Sequence, residues 1–219
     1  MTSLAVLFDL DGTLTDPRPG ITGCIRYALD RLGRPCPSDD ALATYIGPPL
    51  RRTFATLLDT EDRACVEEAL SLYRERYGTV GLFENEVYEG IPSMLDRIGA
   101  VTSRRFVATA KPMAFAARIV ERFGLDRHFA GIYGPDLDGR LDDKADLIAH
   151  LLKAEGLVPA TTVMIGDRAN DVSAARANHL RSVGVLWGYG SAEELRDAGA
   201  DVLCASPADL ESCLSGFDR

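Results

Sequence analysis

The sequence predicts an α/β fold in which a parallel sheet is flanked by helices and a small all-helical block is inserted after the first strand. Three observations carry this. Leu4-Ala5-Val6-Leu7-Phe8 is a continuous, partly β-branched apolar run, long enough for a strand buried on both faces. From Gly90 onward, short apolar runs alternate with helical periodicity, the texture of βαβ units. Between them, up to about Tyr77, the patterns are helical and no strand stands out.

Taken in order, the strand ends at Asp9, and Pro17, Pro19 and Gly20 punctuate a linker. Ile21, Cys24, Ile25, Ala28, Leu29 and Leu32 recur at helical spacing before a stop at Gly33. Ser38 caps a short helix to Tyr45, and Gly47-Pro48-Pro49 breaks it. Helices are expected over 50–58 and 60–77, then a return linker to Glu89. The alternating half predicts helices over 91–98, 112–123, 142–155, 169–177, 192–198 and 207–214. Its strands fall at 105–108, 131–133, 162–165, 182–186 and 201–204. Glycines at 124, 156 and 199 close three of these helices. The whole predicts a Rossmann-like core.

At 219 residues, with 46% hydrophobic and 26% charged residues, the chain affords a sizeable core. Its net charge of −9 argues against nucleic acid and anionic membranes as partners, and leaves any phosphate to be met by local cations or a metal. No apolar run approaches the roughly 20 residues of a membrane span, and no signal-type segment opens the chain. Five scattered cysteines form no C-x-x-C pair, which predicts thiols in a reducing, cytoplasmic setting. His128, His150 and His179 show no metal-ligand spacing and are read as structural.

Asp9 and Asp11 lie close together at the carboxyl end of a buried strand, where open α/β sheets place their sites. Like charges at this range repel, so a hard cation such as Mg2+ is expected between them. The same Asp-Leu-Asp-Gly letters recur at 136–139, but after Gly134-Pro135, and read there as a loop. Thr109 ends a second strand, as a helix cap, an anion site with the amides beyond it, or both. Lys144 stands early in a helix, against the macrodipole, either as a surface partner of nearby aspartates or as a buried ammonium facing phosphate. Ile165-Gly166-Asp167 ends a third strand, and Asp171 follows one helical turn on, so both carboxylates can face one loop.

Asp9-Leu10-Asp11-Gly12-Thr13, Thr109, Lys144 and Gly166-Asp167 with Asp171 resemble, in order, the four motifs of the haloacid dehalogenase superfamily. The stretches 46–50, 108–112 and 187–191 are similar to its phosphoglycolate-phosphatase-like branch. The likeness covers essentially the whole chain. It implies a catalytic core of residues 1–15 and 82–219 and a helical cap of residues 16–81. It also implies an aspartyl-phosphate on Asp9, with Asp11 as general acid and then base. Mg2+ would be held by Asp9, Asp167 and the backbone carbonyl of Asp11, with Asp171 in or just behind its shell. Thr109, the Ala110 amide and Lys144 would cradle the phosphoryl group, and Tyr45, Arg51 and Lys111 are candidates at the leaving group. Arg52 reads equally as a solvated charge. An acid at Asp11 favours phosphate esters over halides or phosphonates, since an alkoxide needs a proton to leave. Ala110 replaces the usual Ser or Asn, and Ser173 and His179 stand where relatives often carry Gly.

The expected function is thus a Mg2+-dependent phosphatase of a small phosphate monoester, phosphoglycolate-like or a nucleoside 5′-monophosphate. The expected partner is a small phosphorylated metabolite, and the chain a monomer or homodimer. A phosphoryl transferase of the β-phosphoglucomutase type keeps the same motifs. A non-catalytic binding protein is disfavoured by the full set of acids and Lys144.

Overall fold

The computed structural model describes residues 4–217, the side chain of Ser103 aside. The chain divides into two compact units, residues 1–16 with 87–219, and residues 17–86.

The first unit is built on six strands in the order β5-β4-β1-β6-β7-β8: β1 (Leu4–Phe8), β4 (Thr102–Ala108), β5 (Gly131–Tyr133), β6 (Thr162–Gly166), β7 (Arg181–Val185) and β8 (Val202–Cys204). Every pairing is parallel. Strand β1 sits in the middle because its five residues are all buried and tolerate a helix layer on each face. The chain builds outward from it in both directions, so the order reverses between β1 and β6. The crevice at the carboxyl ends there is where such sheets bind ligands. Phe8 pairs with Val107 on one side and Ile165 on the other, which brings the residues after all three strands level with each other.

The helices of this unit are α5 (Ile91–Ile98), α6 (Met113–Arg122), α7 (Lys144–Glu155), α8 (Ala169–Ala177), α9 (Ala192–Ala198) and α10 (Leu210–Ser215). Leu7, Phe106 and Met164, from the three central strands, meet Ile148 and Leu151 of α7 and Ala174 and Ala175 of α8 in one core cluster. Burying each of the large side chains is worth about 1.5–3 kcal/mol. Strand β4 starts three residues before the expected Arg105. Its early polar residues hide the strand from an apolar pattern, yet Thr102 donates to the Ile98 carbonyl, the Arg104 guanidinium lies over the Phe106 ring, and Arg105 donates to the His128 carbonyl.

The second unit carries α1 (Arg18–Arg31), α2 (Asp39–Ala43), α3 (Leu50–Leu58) and α4 (Arg63–Tyr77). Helix α1 begins at Arg18 rather than Ile21, because Pro19 falls in the first turn, where its missing N–H costs nothing. Helix α4 begins at Arg63 rather than at residue 60, because the Asp62 carboxylate caps it by accepting from the Ala64 amide. Phe54, Tyr73 and Tyr77 form its aromatic core, with Tyr73 and Tyr77 stacked at 5.2 Å and Phe54 edge-on at 6.1 Å. The unit runs past the expected limit of 81. Gly20 donates to the Glu84 carbonyl at 3.1 Å, and the Arg76 guanidinium pairs with the Glu84 carboxylate at 2.8 and 3.0 Å. Those contacts tie residues 81–84 to the helices. Short strands β2 (Thr15–Asp16) and β3 (Glu86–Val87) lie where the chain leaves and returns. Among the described residues, no helix is long and apolar enough to cross a membrane.

Candidate active site

Asp9, Thr109 and Asp167 each follow the carboxyl end of a central strand, so the sheet register alone brings them together. The Asp9 amide donates to the Ile165 carbonyl at 2.9 Å, and the Thr109 amide to the Tyr133 carbonyl at 3.0 Å, which continues the ladder by one residue on both sides. Asp171 comes from the first turn of α8 and accepts from the Arg168 amide at 3.0 Å. Carboxylate oxygens of Asp9, Asp167 and Asp171 lie within 4.8 Å of one another, and all three residues are buried.

One ammonium enters this cluster. Lys144, the first residue of α7, is positioned by Asp143, whose carboxylate caps the helix by accepting from the Ala145 and Asp146 amides. Its Nζ hydrogen-bonds to Asp171 and stands 3.0 Å from Oδ1 of Asp9. Lys144 is therefore the buried ammonium of the two readings open in the sequence. Burial alone would pull its pKa down, but Asp171 and Asp9 outweigh that and hold it above the ordinary value. Burial, with repulsion from the neighbouring acids, pushes Asp167 well up and Asp171 to about 6. Three enclosed carboxylates around one ammonium, two of them driven toward neutrality, fit a hard divalent cation with oxygen ligands.

Asp11 turns to a second cation. Lys111 Nζ lies 2.7 Å from both of its carboxylate oxygens, and both side chains are buried. Burial raises the Asp11 pKa and Lys111 opposes it. Thr109 Oγ1 accepts from the Lys111 amide at 3.2 Å, with Ala110 between them at the strand end. Asp9, Asp11, Thr109, Ala110, Lys111, Lys144, Asp167 and Asp171 thus share one crevice. Tyr45, Arg51 and Arg52 belong to the helical unit, where Arg51 pairs with Glu67 at 2.7 Å, Tyr45 is half-buried and Arg52 is exposed.

Residues 187–191 carry roles the sequence did not reveal. The Tyr189 amide donates to Oδ2 of Asp167 at 2.8 Å, and Thr13 Oγ1 reaches Oδ1 at 3.5 Å. Trp187 Nε1 holds the Thr13 carbonyl at 2.9 Å. Gly188 and Gly190 lie so close to Asp167 that an added Cβ would overlap it, at 2.5 Å from Oδ2 and 3.0 Å from its carbonyl carbon. The sequence signals this stretch by its likeness to the phosphoglycolate-phosphatase-like branch and by a pair of glycines just past a strand, neither of which assigns it a contact. Arg168 and Glu194 pair at 2.9 Å, and Glu194 also accepts from the Ala169 amide, which fixes the start of α8 and with it Asp171.

The chain is similar to several known proteins. The family model described as haloacid dehalogenase-like hydrolase matches residues 6–185. A 5'-nucleotidase of Pseudomonas aeruginosa is 45% identical over 95% of this chain and 94% of its own. The tyrosine-protein kinase PtkA of Mycobacterium tuberculosis is 39% identical over 86% of this chain, which spans 64% of that protein. A phosphoglycolate phosphatase of Thiobacillus denitrificans is 30% identical over 94% of this chain and 92% of its own. The crystal structure of a predicted phosphatase from Clostridium acetobutylicum superposes with a TM-score of 0.94, at 36% identity over 99% of this chain and all of that one. With that family match and these relatives, this chain belongs to the haloacid dehalogenase-like hydrolase family, among its phosphatases.

Proposed function

We propose that this chain is a Mg2+-dependent phosphatase of a small phosphate monoester, of the phosphoglycolate or nucleoside 5′-monophosphate type, working through an aspartyl-phosphate on Asp9. The observation that carries the reading is the buried cluster of three carboxylates around one ammonium. Three acids against one lysine leave two negative charges uncompensated when all are ionised, the charge a divalent cation supplies. Asp9 and Asp167 would hold Mg2+ by their side chains and Asp11 by its carbonyl, with Asp171 beside them. The bound ion would neutralise phosphoryl charge as it develops.

The rest of the chemistry belongs to the chain's own residues. The Asp9 carboxylate forms a bond to phosphorus as the ester bond breaks, and the electron pair leaves with the ester oxygen. Asp11 gives that oxygen a proton, then takes one from the water that cleaves the aspartyl-phosphate. Lys144, the Thr109 hydroxyl and the Ala110 amide bind the phosphoryl oxygens, positioning and neutralising them. We assign the helical unit the part of a cap, with Tyr45 and Arg51 as its candidates for selecting the leaving group. Cysteine usage supports a cytoplasmic setting.

The test is phosphate release from phosphoglycolate, nucleoside monophosphates and sugar phosphates, with Mg2+ or a chelator, for the wild type and Asp9→Asn. Mg2+-dependent turnover that vanishes in the variant is expected. Kinship with a protein named a tyrosine kinase favours one second reading, transfer to an acceptor other than water. Donor consumed without release of inorganic phosphate would establish that instead.

A further inference from the structure

The structure assigns Lys111 the part of a positioning residue for Asp11: its ammonium sets the carboxylate that passes a proton to the leaving oxygen. This rests on the proposed acid role of Asp11.

Three observations lead there. First, the contact is symmetric and enclosed. Lys111 Nζ is 2.7 Å from Oδ1 and from Oδ2, with the two side chains 5% and 9% exposed. Among the described residues, Lys111 is the one hydrogen-bond donor to this carboxylate. Asp167 has the Tyr189 amide and Thr13, and Asp171 has the Arg168 amide and Lys144. Asp11 has no comparable backbone donor, so its orientation depends on one side chain.

Second, that side chain is anchored at its root. The Lys111 amide is tied to Thr109 Oγ1, and the Met113 amide donates to the Pro135 carbonyl at 3.0 Å. Gly134 lies flush against this segment: a Cβ there would sit 3.0 Å from the Met113 nitrogen and closer still to the Lys111 carbonyl. The backbone is fixed on both sides, and only the long side chain retains freedom, which it loses in reaching Asp11.

Third, the residue type is out of keeping with the rest of the chain. Of 24 basic residues, three are lysines, at 111, 144 and 153, and two of those three are the buried cations of this site. Elsewhere, Lys153 aside, the chain uses arginine. An ammonium is a compact point charge that bridges two oxygens without imposing a planar fork, and so grips a carboxylate that must still turn toward substrate.

The test compares kcat/KM on an alkyl phosphate and on p-nitrophenyl phosphate, whose leaving group needs no proton. This ratio reports the steps through departure of the leaving group and is blind to later hydrolysis. The variants are Asp11→Asn, Lys111→Met, Lys111→Arg and the double Asp11→Asn/Lys111→Met, each checked for folding by circular dichroism. Lys111→Met is expected to lose at least about tenfold more on the alkyl ester than on the aryl ester. Asp11→Asn should show the same selectivity, and the double variant should be no worse than Asp11→Asn. Lys111→Arg, which keeps the charge and guards against misfolding, should show the same selective loss in smaller measure. Equal losses on both esters for Lys111→Met, or losses that multiply in the double variant, would overturn the proposal while leaving Asp11 as the acid. Full activity of Lys111→Arg on both esters would overturn it too. No selectivity in Asp11→Asn would overturn the acid role and this proposal together.

Discussion

A Cβ placed on Gly12 would lie 2.6 Å from Cγ and 2.8 Å from Oδ1 of Asp167, a residue 155 positions further along the chain. Gly12 also has φ +84°, a conformation that costs an L-residue about 1–2 kcal/mol. The turn after Asp11 is thus shaped around an acid from another strand. Gly12→Ala should lower stability by about 1–2 kcal/mol in urea titration and displace the Asp167 carboxylate. Mg2+ affinity, read by calorimetry, should fall about 10–100-fold. Unchanged affinity would show that Asp167 does not depend on this turn.

Metal binding and charge repulsion make opposite predictions for one variant. Mg2+ at a hundred times its dissociation constant should stabilise the wild type by about 2.7 kcal/mol, seen as a rise of several degrees in the thermal midpoint. Asp167→Asn should abolish most of that rise. Without metal at pH 7, however, it should melt above the wild type. The Asp167 pKa is raised by burial and by Asp171 and Asp9, so the charged form destabilises the fold above the ordinary carboxylate range, and an amide removes that cost. A variant that melts lower in chelator, or that keeps the full Mg2+ response, contradicts the assignment.

His179 adopts φ 61°. A residue with a Cβ is strained in that region, whereas Gly is not. His179→Gly is expected to raise the urea midpoint, by up to about 1 kcal/mol of stability, with kcat unchanged. A drop in stability would mean that the imidazole makes a contact worth more than the strain.

The strands and most helices were legible because periodicity, caps and glycine stops agree with the tertiary structure. Leu4–Phe8 and Thr162–Gly166 are buried along their full length, and a buried parallel strand is written in apolar residues. Strand β4 was legible only in its second half, since Thr102 and Arg104, bonded to the Ile98 and Glu155 carbonyls, carry no apolar signal. The carboxylates were legible because they follow those strands directly. The support around them was not. Tyr189, Gly188 and Gly190 act through backbone contacts with Asp167, and a backbone contact does not depend on a side chain that a sequence pattern would display. The family resemblance makes Lys111 a candidate at the leaving group, and the structure gives it Asp11 as partner, a pairing across 100 residues that no local spacing encodes.

The central claim is that Asp9 is the group that takes the phosphoryl. It is tested by mixing enzyme, Mg2+ and excess substrate, quenching in acid within the first turnover, and mapping the protein by mass spectrometry. The account predicts a phosphoryl adduct on the peptide carrying Asp9, absent in Asp9→Asn and longer-lived in Asp11→Asn, where the water lacks its base. An adduct on another residue, or turnover that persists in Asp9→Asn, would contradict it.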